Sequence, residues 1–262
     1  MDSTAPYRRR LRRKPLLLGF ATVFLFPVLL GAGTVAYRGG PTHWWEWDRS
    51  AVSQMPAAVA HPQARIMVMA GRTRGWKGVV AVHSWIVIKA ENEPVWRRYD
   101  VTRWGHPVRL NWWPPDLYFG ERGTVIVDIK GARAQALIPR IDRAIKNYEF
   151  DDVGDYRIWP GPNSNTFVAA VLRAVPELGV ALPPNAIGRD FRPAPYLGLT
   201  DSGTGVEANL WGVLGVKLGW VEGVEVNVLG LVAGLDLRDP GVKLPAFGRV
   251  GPQLTATAEP RP

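Results

Sequence analysis

The pattern of apolar and polar positions divides the chain into three stretches. From Pro15 to Tyr37 no residue carries a charge, and Leu, Phe, Val, Ala and Gly dominate. At about 1.5 Å per residue, a helix of this length crosses a hydrocarbon core of roughly 30 Å. Pro27 falls mid-span, a position for a kink that membrane helices tolerate. Beyond residue 62 strand and helix periods alternate. The runs Arg65 to Ala70, Val79 to Lys89, Val95 to Arg103 and Val125 to Lys130 are β-branched and bounded by turn residues, which predicts four strands. Leu137, Ile138, Ile141 and Ile145 keep helical spacing, predicting a helix that opens near Gly131 with Pro139 in its first turn. A second helix is predicted from Asn163-Ser164, with Phe167, Val168, Val171, Leu172 and Val175 on its apolar face and Pro176 at its end.

The third stretch, about 199 to 250, is glycine-rich and apolar. It holds a repeat with a period of 18 residues: Val206-Glu-Ala-Asn-Leu-Trp-Gly-Val-Leu214 matches Val224-Glu-Val-Asn-Val-Leu-Gly-Leu-Val232. These segments read as two long strands linked by a turn near Gly219 to Gly223. Glu207 and Asn209 then share one face, as do Glu225 and Asn227. That polar face is expected in solvent, with a ligand-binding face as the alternative. The strands read as apolar on both faces over much of their length, so the main domain, each other or a membrane surface should cover them. The resulting plan is α+β: a basic tail 1–14, a transmembrane helix 15–37, a juxtamembrane linker 38–62, an α+β domain with an antiparallel sheet and two helices over 63–197, a β-rich extension 198–251 and a tail 252–262.

Composition narrows the chemistry. The chain has 262 residues, 47% of them hydrophobic, which excludes a disordered or collagen-like protein and suffices for a core. It has no cysteine, so disulfides, thiolate metal sites, iron–sulfur clusters and a lipidated cysteine are excluded. Of the net charge of +9, residues 1–14 carry +5, through Arg8, Arg9, Arg10, Arg12, Arg13 and Lys14 against Asp2. The basic excess is a terminal tail rather than a nucleic-acid surface. A basic run before an apolar span holds the N-terminus in the cytoplasm. The lipid bilayer is therefore an expected partner through residues 15–37, with a single pass through the inner membrane and the main domain in the periplasm. The alternative is a signal peptide cleaved after Thr34-Val35-Ala36, although the span exceeds the usual ~7–15 residue signal core. Trp44, Trp45 and Trp47 suit an interfacial belt or packing beneath the first loop.

One pairing carries candidate chemistry. His83 lies inside an apolar strand, and Ser164 opens a helix, where free N–H groups favour an anion. A nucleophile there with a histidine base from a strand is a recurring catalytic arrangement. The plainer alternatives are a helix cap, for which Asn163 and Ser164 are both favoured, and a hydrogen-bonded core histidine. The glycine pairs match no dinucleotide or P-loop pattern, so neither a nucleotide nor another cofactor is expected. Glu149, Asp151, Asp152 and Asp155 lack calcium-loop spacing and read as a solvated loop; His43, His61 and His106 are isolated, and no metal site is expected.

The order of a strand with His83-Ser-Trp85-Ile and a later helix opening Asn163-Ser-Asn165-Thr-Phe resembles the circularly permuted papain-like hydrolases of bacteria. The resemblance covers about 64–190. It implies His83 as base, Ser164 at the nucleophile position, Asp100 (with Glu91 weaker) orienting the histidine, and Asn163, Asn165 and Trp85 as binding residues. Ser164 stands where that family uses cysteine, and a hydroxyl is far harder to ionise than a thiol. The whole chain also resembles an uncharacterised bacterial membrane-protein family, domain of unknown function 3750, which implies no established activity. Two functions follow: a membrane-anchored periplasmic protein whose papain-like domain serves binding or structure, and a serine-dependent amide or ester hydrolase acting on an envelope peptide, peptidoglycan or lipid. The exchange of cysteine for serine favours the first, with an envelope ligand as its partner.

Overall fold

The computed structural model describes residues 13–39 and 50–252. Trp44, Trp45, Trp47 and residues 1–12 and 253–262 of the terminal tails lie outside the described residues. The chain opens with one long helix: α1 (Arg13–Phe20), a π-helical turn Ala21–Leu25 and α2 (Phe26–Arg38). The wide turn comes just before Pro27, whose missing N–H would break a regular ladder. Among the described residues the helix meets the rest of the protein along one stripe. Phe24, Pro27 and Gly31 are buried at helical spacing, while Leu16, Leu17, Leu18, Phe26 and Leu29 stand open. Gly31 permits the approach, since a Cβ there would sit 3.0 Å from that of Ala246.

The next unit is a five-stranded antiparallel sheet. In chain order it comprises β1 (Arg65–Arg72), β2 (Val82–Lys89), β3 (Arg97–Val101), β4 (Val108–Leu110), the separate hairpin β5 (Leu117–Tyr118) and β6 (Glu121–Arg122), and then β7 (Thr124–Lys130). The spatial order is β4-β3-β2-β1-β7. Four of these strands were legible from sequence; β2 starts three residues late because Gly75–Val79 forms a 3-10 turn. Helices α3 (Gly131–Lys146) and α4 (Ser164–Ala174) cover one face of the sheet. Ile66, Val68, Ile86 and Ile88 of the sheet form the main core with Ile138, Ile141, Phe167, Val168 and Val171 of the helices. Pro139 is not in the first turn of α3 as expected but inside the helix, at its ninth residue. Its ring is exposed, so water can reach the carbonyl it leaves unbonded. On the opposite face of the sheet Met67, Met69, Trp85 and Val87 form a smaller cluster with Met55, Trp96, Tyr118 and Val125.

The third unit is a seven-stranded antiparallel meander: β8 (Tyr196–Leu199), β9 (Gly205–Leu210), β10 (Leu214–Gly219), β11 (Gly223–Val228), β12 (Leu231–Asp236), β13 (Gly241–Leu244) and β14 (Gly248–Val250). The 18-residue repeat is not two long strands. Each copy is one strand, a tight turn (three residues, 211–213, in the first copy and two, 229–230, in the second) and the start of the next strand. The chain reverses at Trp211-Gly212 (φ +55° and +72°) and at Leu229-Gly230 (φ +56° and +85°). Positive φ at both central residues is the twist a tight hairpin needs. The repeated asparagine serves this turn: Asn209 Oδ1 accepts from the Gly212 N–H at 2.7 Å and Asn227 Oδ1 from the Gly230 N–H at 2.8 Å.

The sheet is also inverted relative to the expectation of a solvated polar face. Glu207, Asn209, Lys217, Glu225, Asn227 and Lys243 are buried against the main domain. Nor are the strands apolar on both faces: the apolar side is one side, and it faces out. Leu199, Val206, Leu218, Val224, Leu235, Val242 and Val250 are successive cross-strand partners over all seven strands, each at least 38% exposed.

Candidate functional site

Strand alternation decides what the sequence-derived site residues can reach. On β2, Ser84, Ile86 and Ile88 point towards α4, so His83, Trp85 and Val87 point to the opposite face. Ser84 Oγ donates to Asn165 Oδ1 at 2.8 Å, and Asn165 Nδ2 donates to the carbonyls of Val82 (2.9 Å) and Ile187 (2.8 Å). Asn165 is thus the clamp between α4 and β2. Asn163 is the N-cap. Its Oδ1 accepts from the N–H groups of Asn165 (2.9 Å) and Thr166 (3.2 Å), and Thr166 Oγ1 accepts in return from the Asn163 N–H (3.1 Å). Its amide nitrogen donates to the carbonyls of Ile158 and Ile187. Gly188, at φ +93°, passes so close that a Cβ would lie 2.2 Å from that nitrogen, so only glycine fits. Both asparagines, expected as binding residues, are buried structural groups. Ser164 is the first helical residue, buried one position past the cap.

His83 belongs to a different neighbourhood. Its ring stacks on Tyr118, with centroids 4.4 Å apart and planes 5° apart. Its Nε2 lies 3.5 Å from Asp100 Oδ2, which accepts from Arg98 Nε (3.1 Å) and Nη2 (2.8 Å). Arg98 lies 4.3 Å above the Trp85 ring and donates to the carbonyls of Pro114 and Leu117. Trp85 is fully buried, with its Nε1 donating to the Pro115 carbonyl at 2.9 Å; it offers no binding surface. Burial lowers the His83 pKa below its ordinary value, and nearby Asp100 only partly opposes this. Burial raises Asp100, but His83 and Arg98 more than offset it and hold the carboxyl below its usual range. The structure therefore brings His83 and Asp100 together, leaves Glu91 exposed elsewhere, and sets His83 on the face of β2 opposite to the one α4 packs against. On β2 it is Ser84, and not His83, whose side chain bonds α4, through Asn165.

Two features escaped the sequence reading. The first is a cleft of about 460 Å³ beside α3 and α4, lined by Arg143, Tyr148, Phe150, Arg173 and Phe191 among others. The Tyr148 hydroxyl is buried without a hydrogen-bond partner among the described residues. The signal was present in the basic last turn of α3 followed by Tyr148 and Phe150, but nothing in the spacing joined them to Phe191. The second is the charge network under the inverted sheet. Lys217 Nζ lies 2.6 Å from Asp190, 3.6 Å from Glu207 and 3.7 Å from Asp201, while Arg192 reaches Asp201 (2.8 Å) and Glu207 (2.7 Å). Arg189 and Lys243 pair with Glu225. Burial raises Asp201, yet Lys217, Arg173 and Arg192 outweigh it and keep the carboxyl far below the ordinary range. In the acidic stretch Asp151 is a structural acceptor, taking the Val108 N–H at 2.7 Å. No group of three His, Asp or Glu able to hold a metal occurs among the described residues.

With this geometry in hand, residues 63–191 match the family described as "Protein of unknown function (DUF3750)". The matched stretch holds the five-stranded sheet, α3 and α4, and stops just before β8. No curated protein and no solved structure matches the chain.

Proposed function

We propose that the protein is a membrane-anchored binding domain of the cell envelope, held in the inner membrane by its N-terminal helix with residues 38–262 in the periplasm. The surface of that helix carries the reading. Lys14–Tyr37 is a 24-residue apolar span touching protein along one stripe, whereas the core helix of a water-soluble domain would be covered on its apolar sides. The basic run before it supports a cytoplasmic N-terminus. Binding is favoured over hydrolysis because Ser84, and not His83, faces the helix that Ser164 opens. The cleft beside α3 and α4, whose lining includes Arg143 together with Tyr148, Phe150 and Phe191, suits a ligand joining an anionic group to an apolar body.

The test is a topology reporter fused after residue 252 of the full chain, combined with alkaline extraction of membranes. Reporter activity on the periplasmic side and retention in the extracted membrane are the expected results. Release of the protein by alkali, or a mature N-terminus near Tyr37, would remove the anchor. A fluorophosphonate probe should leave Ser164 unlabelled; labelling abolished by His83→Ala would restore the hydrolase.

A further inference from the structure

A sheet that faces water on one side turns charged residues out and apolar residues in. The seven-stranded sheet does the reverse. Its inner row pairs Glu207 with Lys217 and Lys217 with Glu225 beneath the strands. None of the outward positions of β8 to β14 carries a charge. In the row next to the one described above, Val216 is 53% and Val226 39% exposed, while Ala233 of β12 is 6% exposed. That difference falls where the N-terminal helix packs: Ala21–Leu25, near the middle of the span Lys14–Tyr37, lies against β12. Trp211 and Trp220 stand half-exposed in the turns at opposite ends of β10, bracketing the apolar band as aromatic residues bracket the lipid-facing band of membrane sheets.

We infer that the outer face of this sheet contacts the acyl chains of the bilayer that the N-terminal helix enters, an inference that rests on the anchor proposed above. The open side of the helix and the open face of the sheet are continuous. Whatever medium surrounds the open sides of the helix at the level of residues 21–25 also borders the open face of the sheet beside it. A charge-free face backed by buried ion pairs fits hydrocarbon and does not fit water. The edge groups of β8 and β14, which no strand pairs among the described residues, find no partner in hydrocarbon, which confines lipid to the face itself.

The absence of cysteine makes the test direct, because single introduced thiols are uniquely labelled. Full-length variants Leu29→Cys on the helix, Val216→Cys on the sheet and Glu91→Cys on an exposed loop each receive an environment-sensitive nitrobenzoxadiazole label. They are reconstituted in phosphatidylcholine–phosphatidylglycerol vesicles with or without brominated acyl chains; Leu218→Cys is the second sheet position if Val216→Cys fails to fold. The expected result is at least twofold stronger quenching at 29 and 216 than at 91. Quenching at 29 with 216 resembling 91 overturns the sheet contact and leaves the anchor. Quenching at neither overturns both. Quenching at 216 alone removes the anchor and, with it, the continuity between helix and sheet, and overturns the inference. Excimer emission from pyrene-labelled Val216→Cys at high dilution in lipid would assign the face to a second copy of the chain and overturn the inference.

Discussion

Replacing Lys217 by methionine tests the inverted sheet from its inner side. The ammonium is buried among Asp190 at 2.6 Å, Glu207 at 3.6 Å and Asp201 at 3.7 Å. At an effective dielectric near 20, each attraction is worth about 4–6 kcal/mol before desolvation is subtracted. Because desolvation takes back most of that sum, the useful magnitude is the penalty for leaving the carboxylates unpaired, about 3–5 kcal/mol. Methionine keeps the length and apolar stem, so little packing is lost. The neighbouring Val216→Thr points outward and keeps the branched shape, and should change stability by no more than about 0.5 kcal/mol in detergent. Urea denaturation of the full chain in non-ionic detergent, followed by tryptophan fluorescence, reads both. Adding Glu207→Gln to Lys217→Met should recover part of the loss, because one uncompensated carboxylate is then removed. A loss below about 1 kcal/mol for Lys217→Met, or a larger loss for Val216→Thr, would show that the charged side is solvated and the reasoning wrong.

Four further outcomes are expected. Asn163→Ala should lower stability by about 2 kcal/mol, because the cap and two tethers go together, while Ser164→Ala should stay within about 0.5 kcal/mol by the same denaturation assay. The His83 pKa is lowered from 6.5 in the fold, so the unfolded chain takes the proton first; the stabilisation is complete above about pH 6.5 and lost as pH falls through the folded value. Urea midpoints should therefore decline from pH 7.5 to 5, and His83→Gln should flatten that decline. Gly212→Ala should destabilise by more than about 1 kcal/mol, since φ is +72° and a Cβ would meet the Phe191 backbone at 2.8 Å, whereas Gly19→Ala on the open helix should not. Arg143→Glu should weaken binding of anilinonaphthalene sulfonate in the cleft about fivefold or more by fluorescence titration, as expected from losing about 1 kcal/mol of charge attraction.

Local pattern was legible where one principle governed it. Strands β1, β2, β3 and β7 followed β-branched runs, and α4 followed its apolar spacing and its cap. Pro139 misled because an exposed helix interior tolerates a proline that propensity places at the start. The long-strand reading of the repeat failed because Trp211 and Leu229 adopt positive φ, which apolar residues rarely do; the repeated Asn and Gly around them held the turn signal. Strand alternation put Glu207 and Asn209 on one face correctly, but alternation cannot say which face is inside. That depended on Asp190, Arg192 and Asp201, whose pairing with Lys217 and Glu207 is tertiary. In the site, residue order pairs His83 with Ser164, while period two on β2 gives the contact with α4 to Ser84.

That contact is open to one direct measurement in a chain without native cysteine. Two double variants, Ser84→Cys with Asn165→Cys and His83→Cys with Ser164→Cys, are treated in the folded state with a short bis-methanethiosulfonate cross-linker and scored by the shift of the intact chain on non-reducing electrophoresis. The account predicts a bridge in the first pair, whose native side chains meet at 2.8 Å, and none in the second, whose histidine sits on the face of β2 away from α4. A bridge in the second pair and none in the first would contradict it and return His83 and Ser164 to one cleft.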